Sequence, residues 1–155
     1  MNKSQLIEQV RLTHAAWEAA VSRLDEAQIL ASGVAGDWSV KDIIAHLAWH
    51  EREMVGLLQT HALAGSEMWG WPLDERNHAI YLANRDRPLA DILQEEGQIY
   101  SELVACLEAL EEADLHDARR FGGMPDDWQP WELIAENTCE HVRDHLPEVS
   151  ALVKR

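Results

Sequence analysis

His141 and His145 stand one helical turn apart on an apolar stripe near the end of the chain, where Ile134, Thr138, His141, His145, Val149 and Leu152 recur at spacings of three and four. An imidazole turned inward needs a partner, because an unpaired buried polar group costs on the order of 1 to 3 kcal/mol. Hydrogen bonds, a watered pocket or a bound ion meet that demand. Two histidines at i and i+4 can close on one ion, and neutral imidazole nitrogens suit zinc, nickel, iron or copper. A third ligand is then expected from another helix. Residues 40–58 offer His46 and His50, again at i and i+4. Measured from the centre of that segment's stripe, His50 lies roughly 80° away and His46 roughly 120° away, so periodicity alone favours His50.

The elements that must position these side chains are all helical. Residues 3–24 carry Leu6, Val10, Thr13, Trp17, Val21 and Leu24 at helical period. A turn through Gly33 and Gly36 leads to Ser39, which with Asp42 forms a variant capping box for a second helix striped by Val40, Ile43, Ile44, Leu47, Val55 and Leu58. A looser, tryptophan-bearing region follows over residues 61–87, with a short helix expected at 73–83. The third helix starts near Pro88 and carries Ile92, Ile99, Leu103 and Leu107. The fourth is expected to run from Pro130 to the C-terminus, bent after the histidine pair by Pro147. With no strand alternation and no repeat, the expected fold is all-α: one domain over residues 1–155, a four-helix bundle with a long crossover between helices two and three.

Composition narrows the partners. The formal charge is −15, from 28 acidic and 13 basic residues, and that field repels both a phosphate backbone and an anionic membrane surface. No apolar run approaches membrane-spanning length and the first residues lack a signal-peptide pattern, so a soluble cytoplasmic protein is expected. Cys106 and Cys139 lack CxxC spacing and read as reduced structural thiols.

The string Gly36-Asp37-Trp38-Ser39-Val40-Lys41-Asp42-Ile43-Ile44-Ala45-His46-Leu47 resembles the second-helix signature of the DinB/YfiT-like superfamily of four-helix bundles, in which a tryptophan precedes the first metal histidine by eight residues. Asn137-Thr138-Cys139-Glu140-His141-Val142-Arg143-Asp144-His145 resembles its closing His-x3-His. The resemblance implies a divalent-metal triad of His46, His141 and His145, and often a homodimer. Asn77-x-x-Ile80-Tyr81, Asn84-Arg85-Asp86-Arg87-Pro88-Leu89 and Trp131-Glu132-Leu133-Ile134 are similar to the ClbS/DfsB-like branch, some of whose members hydrolyse a genotoxic metabolite. One departure stands out. Where that branch usually has tryptophan four residues after the first histidine, this chain has His50, with Trp49 one position earlier. His50 is either a fourth ligand or a sign of a remodelled pocket wall.

Three histidines with an open position suit a Lewis acid that activates water or holds a thiolate. The function so implied is metal-dependent hydrolysis or thiol transfer acting on a small electrophilic or toxic molecule. A non-catalytic sequestering protein and a metal-stabilised dimer are the alternatives. Glu51, Glu140 and Asp144 are carboxylates close to the histidines in sequence, and spacing assigns none of them as a base. Seven tryptophans accompany a single phenylalanine. Trp17 is read as core and Trp38 as packing at the start of helix two. Trp69, Trp71, Trp128 and Trp131 can line a mouth above the metal or simply anchor their loops. His14, His61, His78 and His116 are read as surface or loop residues.

Overall fold

The computed structural model describes residues 1–153. Its long helices begin at a capping side chain or directly after a proline. Asn2 caps α1 (Lys3–Ser22), Asp25 caps the short α2 (Glu26–Leu30) and Ser39 caps α3 (Val40–Thr60), each in a reciprocal capping box with the residue three positions on. Pro72 and Pro88 precede α4 (Leu73–Asn84) and α5 (Leu89–Ala109). The final segment is divided into α6 (Pro130–Glu136) and α7 (Cys139–Val153). Single 3-10 turns at Glu67–Gly70, Glu112–Leu115 and Ala118–Arg120 fill the connections. Among the described residues there is no strand, and no helix is long and apolar enough to cross a membrane.

The four long members of the bundle are α1, α3, α5 and the α6–α7 segment. α3 packs along α5 and also against α2, α4 and α7, while α1 packs along α7. Surrounded in this way, α3 buries fourteen of its 21 residues, far more than one amphipathic stripe. Its lower half joins a core with Trp17, Ile92, Val142 and Val149; its upper half joins a second core with Leu6, Leu103, Leu107, Phe121 and Ile134. His46 and His50 lie where one core gives way to the other.

The crossover is tied down at both ends. His61 closes α3 in a left-handed conformation, φ 49°, and stacks on Phe121. The Leu63 N–H donates to the Gly122 carbonyl at 2.7 Å, and the Gly122 N–H donates to the His61 carbonyl at 2.8 Å. Gly123 follows at φ 78°, a conformation that disfavours any side chain. At the other end the buried Lys41 ammonium donates to the Arg85 carbonyl at 2.8 Å, fixing the end of α4 to α3.

The last segment departs from the expected single helix, and the break falls before the histidines rather than at Pro147. Asn137 leaves helical geometry at φ −99°, ψ 3°. Its side-chain amide donates to the Leu133 carbonyl at 2.9 Å, and the Thr138 hydroxyl donates to the Ile134 carbonyl at 2.7 Å. Such short polar side chains compete with the backbone for the carbonyls of the preceding turn. Pro147 lies inside α7, which continues through it to Val153.

Ser39 starts the helix that carries two histidines, and its hydroxyl accepts from the Asp42 N–H at 3.1 Å. Ser39→Ala is expected to destabilise the fold by about 1 kcal/mol, as usual for a lost N-cap. Urea denaturation reads the shift; an unchanged midpoint would show that this cap does not hold α3.

Candidate metal centre

α3 presents His46 and His50 one turn apart, and α7 presents His141 across from them. The Nε2 atoms of His46 and His141 stand 2.9 Å apart. One nitrogen from each of His46, His50 and His141 falls within a group spanning no more than 4.8 Å. The rings meet edge to face, with centroids 4.8 Å apart for His46–His50 and 4.4 Å for His50–His141. His145 flanks the group, its ring centroid 5.4 Å from that of His46 and 5.1 Å from that of His141. The structure thus brings His46 and His141 together as the sequence implies, sets His145 at their edge, and adds His50 to the compact set.

Depth differs from the helical-wheel expectation. His46 and His50 are each 5% exposed, whereas His141 and His145 are half-buried. The wheel assumes a single inward face, and α3 has neighbours on several.

The hydrogen bonds define which nitrogens are bare. The Asn137 amide nitrogen is committed to the Leu133 carbonyl, so its oxygen faces His50 Nδ1 at 3.0 Å and accepts from it. With the proton on Nδ1, His50 Nε2 keeps its lone pair, and that atom is buried with no hydrogen-bond partner. His145 follows the same logic at the edge: Nδ1 donates to the Glu148 carboxylate at 2.9 Å, leaving Nε2 bare. His46 Nδ1 is likewise buried without a partner. A second ring nitrogen held by a carboxylate or amide oxygen is the usual way an imidazole is oriented toward a metal.

Electrostatics keep the imidazoles neutral. Burial first, then the neighbouring histidines and Arg76, lowers His46 to about 2. Burial, His50, His145 and Arg76 lower His141 to about 3. His50 falls to about 4, chiefly by burial, with the Asn137 hydrogen bond opposing. Neutral imidazoles are the form that binds a cation, and these residues fit a divalent transition metal.

Aromatic side chains wall the site. Trp38 packs on His46 with centroids 5.0 Å apart. Trp49 and Trp69 both meet His50, at 5.0 and 5.4 Å, and meet each other at 5.0 Å. Beyond Trp69 lies a cavity of about 410 Å³ lined by Met54, Leu57, Leu63, Trp69, Trp128 and Leu133, among others. Met54 is one turn past His50 on α3, and Leu133 one turn before Asn137, so the cavity lies one turn from His50 and from the residue that orients it, with Trp69 between. Trp71 is exposed and Trp131 packs on the core; neither lines that cavity.

The nearby carboxylates have other surroundings. Glu51 lines a small pocket with His14, Trp17 and Glu96, and burial, then Glu96, raises it to about 8. Asp144 is exposed and Glu140 half-buried. His14 is buried, against its expected surface position: Nε2 meets Glu96 at 2.9 Å and the ring stacks on Tyr100 at 3.4 Å. Cys139 is buried, with burial pushing its thiol up, and Cys106 is shifted the same way. Trp69 and Trp128 line the cavity, as the first of the two sequence readings has it, whereas the contributions of Asn137 and Glu148 were not assigned from sequence; Asn137-Thr138 directly before the closing histidines was the one available signal.

Nitrogen-15 NMR of metal-free protein at neutral pH is expected to show His50 with its proton on Nδ1, and Asn137→Ala should shift that tautomer toward Nε2–H. A His50 already protonated on Nε2 would contradict the assignment.

No curated protein matches this chain. Among solved structures, one described as "Sibling Lethal Factor Precursor - DfsB" superposes with a TM-score of 0.79 at 15% identity, covering 99% of this chain and 96% of that one. An uncharacterised protein from Escherichia coli UTI89 superposes with a TM-score of 0.79 at 14% identity, covering 99% and 93%. At those identities the likeness is one of fold. The sequence itself matches the DinB superfamily over residues 9–149, nearly the whole bundle and all four histidines, and the chain belongs to that superfamily.

Proposed function

We propose that this chain binds one divalent transition metal ion through His46 and His141, completed by His50 and His145, and acts as a metal-dependent enzyme on a small electrophilic molecule. The carrying observation is the buried, unpartnered His50 Nε2 beside the 2.9 Å approach of His46 to His141. Each orphaned buried group costs on the order of 1 to 3 kcal/mol, and coordination of a cation offsets that cost for the bare nitrogens.

A divalent ion held there would supply a Lewis acid able to polarise an electrophile and to lower the pKa of a water or a thiol. The chain supplies the rest. Asn137 and Glu148 fix two imidazoles in the tautomer that leaves Nε2 free. Trp38, Trp49 and Trp69 restrict water around the rings, which strengthens electrostatic interactions there. The adjoining cavity is apolar over most of its lining and of a size for a small organic molecule. Both cysteines have raised thiol pKa values, so the nucleophile is read as water, or as a thiol brought by a second molecule. Hydrolysis is preferred because it needs no second organic ligand. Sequestration without turnover is the competing reading, favoured by the same cavity, and differs in releasing its ligand unchanged. The homodimer and cytoplasmic setting implied earlier enter none of this chemistry.

Protein purified without a nickel column and titrated with zinc, nickel and ferrous iron is expected to bind about one equivalent per chain, and a plateau below about a tenth of an equivalent for all three would overturn the reading. His46→Ala and His141→Ala should abolish stoichiometric binding. Asn137→Ala should weaken it about 10- to 100-fold, the usual effect of losing an orienting partner.

A further inference from the structure

Among the described residues, Arg76 is the basic side chain beside the histidines that meets no carboxylate. Half of α4 is exposed, and its single buried residue is Ile80. Arg76 lies one turn before Ile80 and therefore on the same face, turned toward α3. Its guanidinium carbon sits 4.7 Å over the Trp69 ring, and the other edge of that contact chain is His50, 5.4 Å from the same indole. The guanidinium is close enough to contribute, after burial, to the lowered pKa of His46, His50 and His141.

What Arg76 lacks is as informative as what it touches. Nearby Arg52 and Arg87 both close on Glu95, but Arg76 meets no carboxylate among the described residues, in a chain with 28 of them. Its Nε is buried with no hydrogen-bond partner. A guanidinium stays protonated at neutral pH and carries five donors in a planar fork suited to carboxylate. Stacking on an indole holds that fork in place without using its donors. A fixed, partly desolvated cation beside a cluster that takes up a dication has only one kind of complementary ligand.

We propose that Arg76 is the anion-recognising residue of this site, and that the ligand is a small organic carboxylate whose apolar body occupies the cavity between Trp69 and Trp128. The inference builds on the metal-centre reading for the ligand's placement, but the guanidinium and the cavity belong to the chain whether or not metal is bound. The guanidinium is a local positive charge in a protein that repels anions overall; the one ionisable side chain that lines the cavity, Glu53, has its carboxylate held by the Ser66 N–H. The carboxylate spans Arg76 and the histidine cluster, and Trp69 divides the polar from the apolar half of the ligand.

Benzoate, with inorganic phosphate as the comparison anion, is titrated into zinc-loaded and metal-free protein and followed by calorimetry and tryptophan fluorescence. Arg76→Met keeps an unbranched stem over Trp69 and removes the charge; Arg76→Lys keeps the charge and loses the fork. Wild-type protein is expected to bind benzoate, Arg76→Met to bind it about ten- to a hundredfold more weakly, and Arg76→Lys to fall between. Zinc stoichiometry and melting temperature should be unchanged in Arg76→Met, which separates recognition from a structural role. Equal benzoate affinity in wild type and Arg76→Met, or no benzoate binding up to about 20 mM, overturns the inference, as does Arg76-dependent binding of phosphate but not benzoate. If zinc fails to bind yet metal-free protein binds benzoate in an Arg76-dependent way, the metal reading falls and this one stands.

Discussion

The organisation of this protein depends on the enclosure of α3. A helix packed on one side can keep its polar residues in water, whereas α3 has α2, α4, α5 and α7 around it and buries fourteen of its 21 residues. Histidines on such a helix have nowhere to go but inward, and inward the charged form is penalised. The imidazoles therefore stay neutral, and across the gap to α7 one Nε2–H of the His46–His141 pair donates to the lone pair of the other at 2.9 Å. A low-dielectric junction between two apolar cores makes bare lone pairs both costly and useful.

The break between α6 and α7 falls at the residue that supports the enclosed histidines. Asn137 closes α6, and both its backbone N–H and its side-chain amide donate to the Leu133 carbonyl, at 3.3 and 2.9 Å. That double anchor turns the side-chain oxygen to His50. One residue thus ends a helix and sets a tautomer. Glu148 performs the last of these tasks for His145. The site is held by its supports as much as by its histidines.

Much of this was legible in the sequence. Capping at Ser39, the stripes of the long helices, the helix at 73–83 and the crossover all appear where local chemistry places them, because caps and periodicity act over a few residues. His46 was legible as the partner of His141 through the family resemblance, whereas periodicity alone favoured His50. Neither α3 histidine was placed by the wheel. A wheel drawn around one apolar face puts both α3 histidines on its flank, and that construction fails for a helix with several neighbours. His14 was misplaced on the surface for a related reason: its partners, Glu96 and Tyr100, come from α5, and no local signal announces them. The split of the last helix goes with the Thr138 hydroxyl taking the Ile134 carbonyl while the Thr138 N–H turns to Ala135, a balance that propensity alone does not decide.

The central claim is that His46, His50 and His141 form one metal-binding group with His145 at its edge. An anomalous-difference map from crystals of zinc-loaded protein, collected across the zinc absorption edge, tests it most directly. The account predicts a single strong peak within about 2.0–2.1 Å of Nε2 of His46 and His141, with His50 Nε2 or His145 Nε2 completing the set. A peak elsewhere on the molecule, or none at full zinc loading, would contradict it.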